Sequence, residues 1–554
     1  MIRLSEIKLT LAQAQDPAPT LLAAAQRVLG LPAEDIARVE VFKRSFDARK
    51  ADLAAVYIVD VVLADPSAQA AVLAKFPGHP HIGATPDMEW HPPVQAASPP
   101  AVRPVVVGFG PCGIFAALVL AQMGLRPIVL ERGKKVRERT QDTWGLWRKG
   151  VLDPESNVQF GEGGAGTFSD GKLYSQIKDP RHLGRKVMSE FVKAGAPEEI
   201  LYVAHPHIGT FKLVKVVENL REQIIALGGE VRFQQRVTDL LVEDSPQGKQ
   251  LRGLTVLDQA TGQSTELRAD HVVLALGHSS RDTFEMLHRR GVFIEAKPFS
   301  IGFRIEHPQG VIDRARWGRH AGHPLLGAAD YRLVHHASNG RSVYSFCMCP
   351  GGTVVAATSE PQRVVTNGMS QYSRNERNAN AGMVVGIEPR DYPGGPLAGV
   401  ALQRELESRA FVMGGGNYHA PGQLLGDFLA GRASTQLGDV EPSYKPGVNL
   451  GDLREALPSY AIEALREALP AFGRKIKGFD LPDAVLTGVE TRTSSPLKIT
   501  RGEDYQSLNV RGLYPAGEGA SYAGGILSAG VDGIRVGEAV ALRLSSPPPR
   551  LGEG

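Results

Sequence analysis

Cysteine is scarce in this chain, which has three among 554 residues. Three thiols cannot form the set of disulfides that holds a small secreted domain together, whereas a reducing compartment leaves them free for chemistry or for packing. Cys347 and Cys349 stand two residues apart in the stretch YSFCMCPGG, and the third is Cys112. The sequence therefore raises the question whether all three sulfurs serve one site.

An excess of charge of one sign is also missing. The chain has 62 Lys and Arg residues against 59 Asp and Glu residues, a formal net charge of +3. Because nucleic acids bind dense basic surfaces, this balance predicts no nucleic-acid partner, and we predict no metal site either. The partner that we expect is a small-molecule substrate or a redox partner.

Long hydrophobic runs do not occur. No apolar run reaches the roughly 18 residues of a membrane span. Arg3, Glu6 and Lys8 interrupt the position where a signal peptide has its apolar segment. We therefore predict a cytoplasmic protein with no membrane partner, and the sequence leaves the oligomeric state open.

The chain is too long for one hydrophobic core, so its length predicts two or three domains. A Pro- and Ala-rich segment without an apolar period, residues 91–104, is predicted to be a linker. Before it, residues 1–90 contain three strand patterns and two helix patterns, which predict a small α+β domain with a ferredoxin-like arrangement as the expected form.

A dinucleotide-binding turn follows the linker. The strand PVVVGFG leads into Gly108, Gly110 and Gly113, and the helical pattern IFAALVLAQMG comes next. The first glycine permits the tight turn, the second lets a pyrophosphate approach, and the third lets the helix and strand pack closely. The next strand ends at Glu131, eighteen residues after Gly113, where a carboxylate accepts ribose hydroxyls. This pattern predicts an α/β, Rossmann-like domain.

Four separated blocks carry a resemblance to known flavoproteins. They are LERG, FGEGGAGTFSDGKL at residues 160–173, HVVLALGHSSRDT at residues 271–283, and GLYPAGEGASYAGGILSAGVDGIRVGEAVA near the end of the chain. Together they resemble FAD flavoproteins of the two-dinucleotide-fold class and, more narrowly, a bacterial family of FAD-dependent dehydrogenases. The resemblance implies FAD as the cofactor and supplies no substrate.

The residues predicted to bind FAD lie in the glycine-rich loops of these blocks. Glycine backbone can wrap a cofactor closely because it tolerates positive φ and presents its N–H groups without obstruction. The predicted residues are Gly108, Gly110, Pro111, Cys112, Gly113, Glu131, Arg132, Gly163, Gly164, Ala165, Gly166, Thr167, Val237, Ala275, Gly277, Gly517, Glu518, Gly524, Gly525 and Ile526.

The FAD-binding domain is predicted to be interrupted. We assign its first part to residues 105–290, a substrate or cap domain to residues 291–483, the second FAD part to residues 484–543, and a disordered tail to residues 544–554. In this class a long insertion between the two halves builds the substrate pocket. Function is therefore expected at the interface of the two domains.

Two of the four candidate catalytic residues are the cysteines of YSFCMCPGG. If a strand runs to Cys349 and the following Pro-Gly-Gly makes a turn, Cys347 and Cys349 point to the same face and Met348 points away. The pair is then either a dithiol that relays electrons or two small residues packed beneath the flavin. In both cases at least one sulfur is expected to line the active cavity.

The other two candidates are cations. Lys172 is either an active-site ammonium or the partner of a surface ion pair. Arg304 either binds a carboxylate or amide of the substrate or satisfies the backbone of a long loop.

The main hypothesis is an FAD-dependent oxidoreductase that transfers hydride between the flavin and a small organic substrate or redox partner. One alternative is a flavin monooxygenase with NAD(P)H as a transient donor. Another is an FAD-containing interaction or sensing module without catalysis. The stretch MGGGNYHAP lacks a preceding strand and a following acidic strand end, so no second dinucleotide fold is predicted.

Overall fold

The first part of the chain is a four-stranded sheet with two helices. The structure is a computed structural model that describes residues 1–48, 52–246 and 248–545. The elements here are β1 (Ile2–Thr10), α1 (Pro17–Leu29), β2 (Ile36–Asp47), β3 (Ala54–Leu63), α2 (Gln69–Leu73) and β4 (Ile82–Ala84). The antiparallel strand order β2-β3-β1-β4 is that of a ferredoxin-like fold. The predicted α+β fold is confirmed.

The predicted linker has no helix or strand in residues 91–104. It lies on the next domain, since the N–H of Ala96 donates to the Met123 carbonyl at 3.0 Å. Just before it, the Trp90 indole N–H donates to the Glu538 carboxylate at 2.8 Å.

The Rossmann-like domain begins after the linker. Its first elements are β5 (Val105–Val107), α3 (Pro111–Gln122), β6 (Ile128–Leu130), α4 (Val136–Lys149), α5 (Leu183–Lys193), α6 (Thr210–Ala226), β7 (Glu230–Arg232), β8 (Gln235–Ser245), β9 (Gly248–Asp258), β10 (Ser264–Arg268), β11 (Val272–Leu274) and α7 (Arg281–Arg289). The apolar triplets at β5, β6 and β11 are fully buried, as expected for a sheet covered on both faces.

The insertion is built around an eight-stranded sheet. Its elements are β12 (Ile294–Ala296), β13 (Phe299–Pro308), α8 (Gln309–Trp317), β14 (Val334–His336), β15 (Ser342–Ala356), β16 (Thr366–Ser370), β17 (Asn378–Ile387), α9 (Ala398–Met413), β18 (Ala420–Leu424), α10 (Leu425–Ala430), β19 (Val448–Leu450), α11 (Ser459–Lys475) and β20 (Val485–Glu490). The strand order is β14-β15-β17-β13-β20-β18-β19, with β16 beside β15. We call this part the cap.

The last elements complete the Rossmann-like domain. They are β21 (Leu497–Ile499), β22 (Val510–Arg511), β23 (Leu513–Pro515) and α12 (Ile526–Ser545). The parallel sheet has the order β23-β11-β5-β6-β7, and β8, β9, β10 and β22 form a second sheet. Helix α12 packs closely on α3, because a Cβ at Gly533 would lie 2.2 Å from the Cys112 carbonyl oxygen. This arrangement is the predicted fold class.

Two predicted domain boundaries need correction. Strand β20 was assigned to the second FAD part, but it lies between β13 and β18 in the cap sheet. Strand β12 was assigned to the cap, but it pairs with β21 instead. Both strands have the same apolar character as their neighbours, so only long-range pairing decides their place. Helix α12 continues to Ser545, and the rest of the predicted tail, residues 546–554, lies outside the described residues.

Among the described residues, no helix combines the length and the apolar character that crossing a bilayer requires.

Candidate active site

A cavity of about 430 Å³ lies between the Rossmann-like domain and the cap. The loops at the carboxyl ends of β5, β6 and β11 line it, as does the start of α12. On the other side it is lined by cap residues 330–332 and 345–348 and by Asn367. Ligands of open α/β sheets bind at the carboxyl ends of the strands, so this is the expected place for a dinucleotide.

The glycine turn after β5 has the geometry that its sequence predicts. Gly108 has φ +98°, in the left-handed region that favours glycine. A Cβ at Gly113 would lie 1.9 Å from the Gly108 carbonyl oxygen, so only glycine permits this contact of helix and strand. A Cβ at Gly164 would lie 2.8 Å from the Gly110 Cα atom. The two glycine-rich loops therefore meet backbone to backbone at the cavity.

Glu131 connects three loops besides lining the cavity. Its carboxylate accepts backbone N–H donors from Phe109 at 2.9 Å, Gly133 at 2.8 Å and Gly161 at 3.0 Å. The neighbouring Arg132 donates to two carboxylates, those of Glu155 and Asp282, across the β6 and α7 ends. The carboxylate of Glu131 therefore also holds the backbone of the glycine turn in place, whereas the sequence predicts for it only the binding of ribose hydroxyls.

The turn before α12 holds a carboxyl with a raised pKa on the cavity wall. Burial raises the pKa of Glu518 to about 7, Lys297 opposes that rise, and the nearby Cys347 sulfur adds to it. A Cβ at Gly524 or Gly525 would meet no atom within 4 Å, so the backbone there faces open space. The Gly517 N–H is occupied by the Asp532 carboxylate at 2.8 Å.

Most of the predicted FAD residues line the cavity. Those that do are Gly108, Gly110, Pro111, Cys112, Glu131, Arg132, Gly164, Ala165, Gly166, Val237, Ala275, Gly277, Glu518, Gly524, Gly525 and Ile526. Four do not. Gly113 keeps the helix–strand packing role that the turn gives it, and Gly163, Thr167 and Gly517 are corrected to packing positions. Their Cβ positions or side chains face neighbouring chain, since a Cβ at Gly163 would lie 2.1 Å from Thr167 Oγ1 and one at Gly517 would lie 2.9 Å from Cys112 Cβ.

The candidate catalytic residues divide into two pairs. Lys172 and Cys347 line the cavity, whereas Cys349 and Arg304 are fully buried behind its wall. Arg304 has no donor left for a substrate. It donates to Glu490 Oε1 at 2.6 Å and Oε2 at 3.1 Å, to the Cys347 carbonyl at 2.8 Å, and to the Asn380 and Asn367 side chains. The substrate-binding role considered for Arg304 is therefore wrong, and it supports the strand that carries Cys347.

The predicted strand end at Cys349 is also wrong. Strand β15 continues through Pro350 to Ala356, and its pairing with β17 shifts register between Phe346 and Cys349 and again between Cys349 and Gly352. Cys347 has φ +43° within the first of these irregularities. A regular alternation of faces therefore does not hold here. A sequence pattern reveals a strand by its alternation of apolar and polar residues. Two register shifts interrupt that alternation, so the pattern could not reveal them.

The two cysteines are free thiols in one electrostatic cluster. A hydrogen bond from the Cys349 thiol lowers the pKa of Cys347, and the Lys172 and Arg304 cations add to this effect. The same bond, together with burial, raises the pKa of Cys349. Burial alone would lower the pKa of Lys172, but the nearby sulfurs and the Asp170 carboxylate raise it overall. Cys112 is a separate buried thiol whose pKa burial raises.

A buried ionic network that the sequence analysis missed lies beside the cavity. Glu407 on α9 accepts from Arg281 at 2.7 and 2.9 Å and from Arg492 at 3.1 Å. Arg492 also donates to the Ser279 hydroxyl at 2.9 Å, and both residues line the cavity. Arg281 is the first residue of α7 and follows the polar stretch GHSS, so no local pattern marks it as buried.

Comparison with known proteins identifies the family. A family described as "FAD-dependent protein, C-terminal domain-like" matches residues 298–493, which is the range of the cap sheet from β13 to β20. A domain of unknown function matches residues 1–62. An uncharacterized protein of Clostridium beijerinckii is 46% identical over 550 residues, covering 99% of each chain. The chain belongs to this family of FAD-dependent proteins. The predicted cofactor, FAD, is confirmed.

Solved flavoproteins share the general fold only. Quinol fumarate reductase FrdA of E. coli is 14% identical, with a TM-score of 0.37, over 82% of this chain and 71% of that one. The glycerol-3-phosphate dehydrogenase of Bacillus halodurans, complexed with FAD, is 13% identical, with a TM-score of 0.35, over 81% of this chain and 66% of that one. Both TM-scores lie below 0.5, so neither resemblance bears on what this flavoprotein acts on.

The residues on the cavity wall fit FAD. Helices α3 and α12 both begin there, and the first N–H groups of a helix bind the phosphates of a dinucleotide. A Cβ at Gly277, like one at Gly524 or Gly525, would project into open cavity, so these glycines leave room that a side chain would fill. The loops around Gly110 and Gly164 would hold the pyrophosphate, and Glu131 would hold the ribose.

Proposed function

We propose that this flavoprotein is a dehydrogenase or reductase of a small organic substrate that binds between the FAD loops and the cap. The observation that carries the proposal is the cavity that both domains line. Bound there, FAD supplies two-electron redox chemistry. The cap residues at 330–332 and 345–348 then form the wall that a substrate contacts.

Two cations favour a substrate with an anionic group. The Lys172 ammonium donates to the Met348 carbonyl and lies 4.0 Å from the Asp170 carboxylate, and its raised pKa keeps it charged at neutral pH. Arg332 is exposed at the cavity and has no hydrogen-bond or ion-pair partner in the described part of the chain. A guanidinium without a partner binds carboxylates well because it offers two parallel donors.

Tyr331 adds a neutral donor beside these cations. Its hydroxyl is buried on the cavity wall and has no hydrogen-bond partner among the described residues. Burial raises the pKa of Tyr331, so the hydroxyl keeps its proton and can donate to a substrate oxygen. Lys172, Arg332 and Tyr331 together suit a carboxylate-bearing alcohol, amine or carbonyl compound.

The test is an anaerobic screen of the FAD-loaded protein with hydroxy acids, amino acids and neutral alcohols, read as loss of the visible flavin absorbance. We expect acids to bleach the flavin. Arg332→Gln should raise the half-saturating concentration of the active acid on the order of tenfold to a hundredfold, as loss of a charge-assisted bond does. The control is Arg390→Gln, an exposed cap arginine paired with Glu388 away from the cavity. Bleaching by neutral alcohols alone, or an unchanged response of Arg332→Gln, would refute the anionic substrate.

A further inference from the structure

The two thiols of β15 differ in their exposure to the cavity. Cys347 lines the cavity, and Cys349 is 0% exposed behind it. The Cys349 thiol donates to the Cys347 carbonyl at 3.4 Å. One sulfur can therefore meet a ligand in the cavity while the other lies behind the wall, bonded to the backbone of the first cysteine.

Cations from both domains converge on this pair. Lys172, from the glycine-rich loop of the FAD domain, donates to the carbonyl of Met348, the residue between the cysteines. Arg304, from the cap, donates to the Cys347 carbonyl. Arg304 is also a neighbour of the Cys349 sulfur. A Cβ built at Gly368 would lie 2.8 Å from Arg304 Nη1 and 2.9 Å from Cys349 Sγ, so both atoms border the same small space. Thiolates are stabilised by neighbouring cations of this kind.

The backbone is irregular where the thiols meet. In a regular strand, Cα atoms two apart are separated by about 6.5 to 7 Å, the upper edge of disulfide reach. Here the register of β15 shifts on both sides of Cys349, and Cys347 has φ +43°. Positive φ at a residue other than glycine costs free energy and is concentrated at functional sites. The separation of a regular strand therefore does not apply to this pair of cysteines.

We propose that Cys347 and Cys349 are a redox-active dithiol that reduces a small disulfide bound in the cavity. This inference rests on the proposed function, because the disulfide binds in the same cavity and accepts the electrons that FAD removes from the acid. No other cysteine takes part, since Cys112 lies on α3 in contact with the Gly517 turn.

The reaction is two thiol–disulfide exchanges. The Cys347 thiolate attacks one sulfur of the substrate, the substrate S–S bond breaks, and the first thiolate leaves. Cys349 loses its proton to the solvent of the cavity, where one product thiolate takes it up, and attacks Cys347 Sγ, which releases the second thiolate and forms the Cys347–Cys349 bond. The substrate disulfide gains two electrons and the cysteines lose two. The FAD-dependent oxidoreductase activity supplies the two electrons that restore the dithiol.

The first experiment uses the FAD-loaded protein, without oxygen, and dithiodipyridine as a neutral disulfide probe. We expect wild type to release two thiopyridone molecules per chain, to lose two titratable thiols, and to keep no mass adduct. Cys349→Ser should release one and keep a mixed disulfide on Cys347, and Cys347→Ser should release none rapidly. Alanine variants at both positions repeat the test if a serine variant fails to fold. A stable adduct on wild type, or rapid release by Cys347→Ser, would overturn the proposal.

The second experiment tests whether Lys172 acts on the thiolate. Loss of a cation that raises the thiol pKa by about one unit lowers the thiolate fraction about tenfold. Because the pKa of Cys347 is lowered to about 6, we expect Lys172→Met to slow the first release by about that factor near pH 5, by only about twofold near pH 7, and to move its pH profile upward. Lys172→Arg should restore both. The groups that set the profile are Cys349, Lys172, Arg304, Glu490 and Glu518. An unchanged profile in Lys172→Met would refute this role.

Failure of this inference can be distinguished from failure of the proposed function. If an acid without sulfur bleaches the flavin of the Cys347→Ser, Cys349→Ser double variant as it does wild type, the proposed function stands and the dithiol is refuted. If wild type releases two thiopyridones while no acid bleaches its flavin, the dithiol stands and the anionic substrate is refuted.

Discussion

Replacement of Glu407 by glutamine should destabilise the cap more than any surface change on the same helix. Glu407 is 0% exposed and its two carboxylate oxygens accept from Arg281, Arg492 and Thr491. Burial alone would raise its pKa, but the two guanidinium groups lower it well below its ordinary value. Glutamine removes the charge and turns an N–H₂ group toward donors. Two buried guanidinium groups then share only the more exposed Glu360 as a counter-charge.

The expected loss is about 3 to 5 kcal/mol of unfolding free energy, the usual cost of breaking a buried ion pair by removing one partner. Glu405→Gln is the matched control. It lies on the same helix, and its pair with Arg409 is exposed, so its loss should change stability by less than about 1 kcal/mol. Since Arg492 and Ser279 line the cavity, Glu407→Gln should also weaken FAD binding.

Urea unfolding followed by tryptophan fluorescence measures this loss, because Trp147 packs in the cap core. The FAD-free forms of wild type and both variants should be compared, since bound FAD adds its own stabilisation. Equal urea midpoints for Glu407→Gln and Glu405→Gln would refute the argument that the network holds the cap to the FAD domain.

Three further predictions follow from the cavity. Gly525→Val should abolish FAD binding without lowering the melting temperature of the FAD-free protein, because a Cβ there meets only open space. The control is Gly451→Val, whose Cβ is equally unobstructed but lies outside the cavity, and this variant should retain FAD. Loss of FAD in both variants would contradict the prediction. Glu518, with a folded-state pKa raised from 4.5 to about 7, costs stability as pH rises through that range. Glu518→Gln should therefore stabilise the FAD-free protein by up to about 3 kcal/mol above pH 7 and by nothing near pH 4.5, and a pH-independent difference in thermal unfolding would refute the raised pKa. NADH and NADPH should reduce the flavin slowly in anaerobic stopped flow. The triple glycine at residues 414–416 leads from helix α9 to strand β18, whereas the glycine turn of a dinucleotide site leads from a strand into a helix. Rapid, saturable reduction would show a nicotinamide site.

Local and periodic signals made the FAD turn and the N-terminal domain predictable. The glycines at 108, 110 and 113 act within one βα unit, so their spacing alone states their roles. The strand and helix patterns of residues 1–90 are short and alternate, and few arrangements of them bury one face. Prediction was accurate where a residue's role depends on neighbours close in sequence.

Long-range pairing explains what the sequence did not reveal. Glu407 meets Arg281 across 126 positions and Arg492 across 85, so no spacing rule links them. The apolar pattern of β20 fits either sheet, and only its pairing with β13 and β18 assigns it to the cap. The sequence leaves the role of Arg304 open between substrate and backbone because its partner Glu490 lies 186 positions away.

Hydrogen bonds across the domain interface hold strand β15, which carries Cys347 and Cys349, against the glycine-rich loop of residues 160–173. Lys172 reaches the Met348 carbonyl, and Arg374 of the cap reaches back to Asp170 beside Lys172. At the far end of β15, the Trp147 indole N–H donates to the Ala356 carbonyl at 2.9 Å. A cap that swung away as a rigid body would break these bonds at both ends of the strand. The position of Cys347 is therefore set by the same glycine-rich loop that lines the FAD cavity, and any change that loosens this loop must alter the environment of the thiol as well as that of the cofactor.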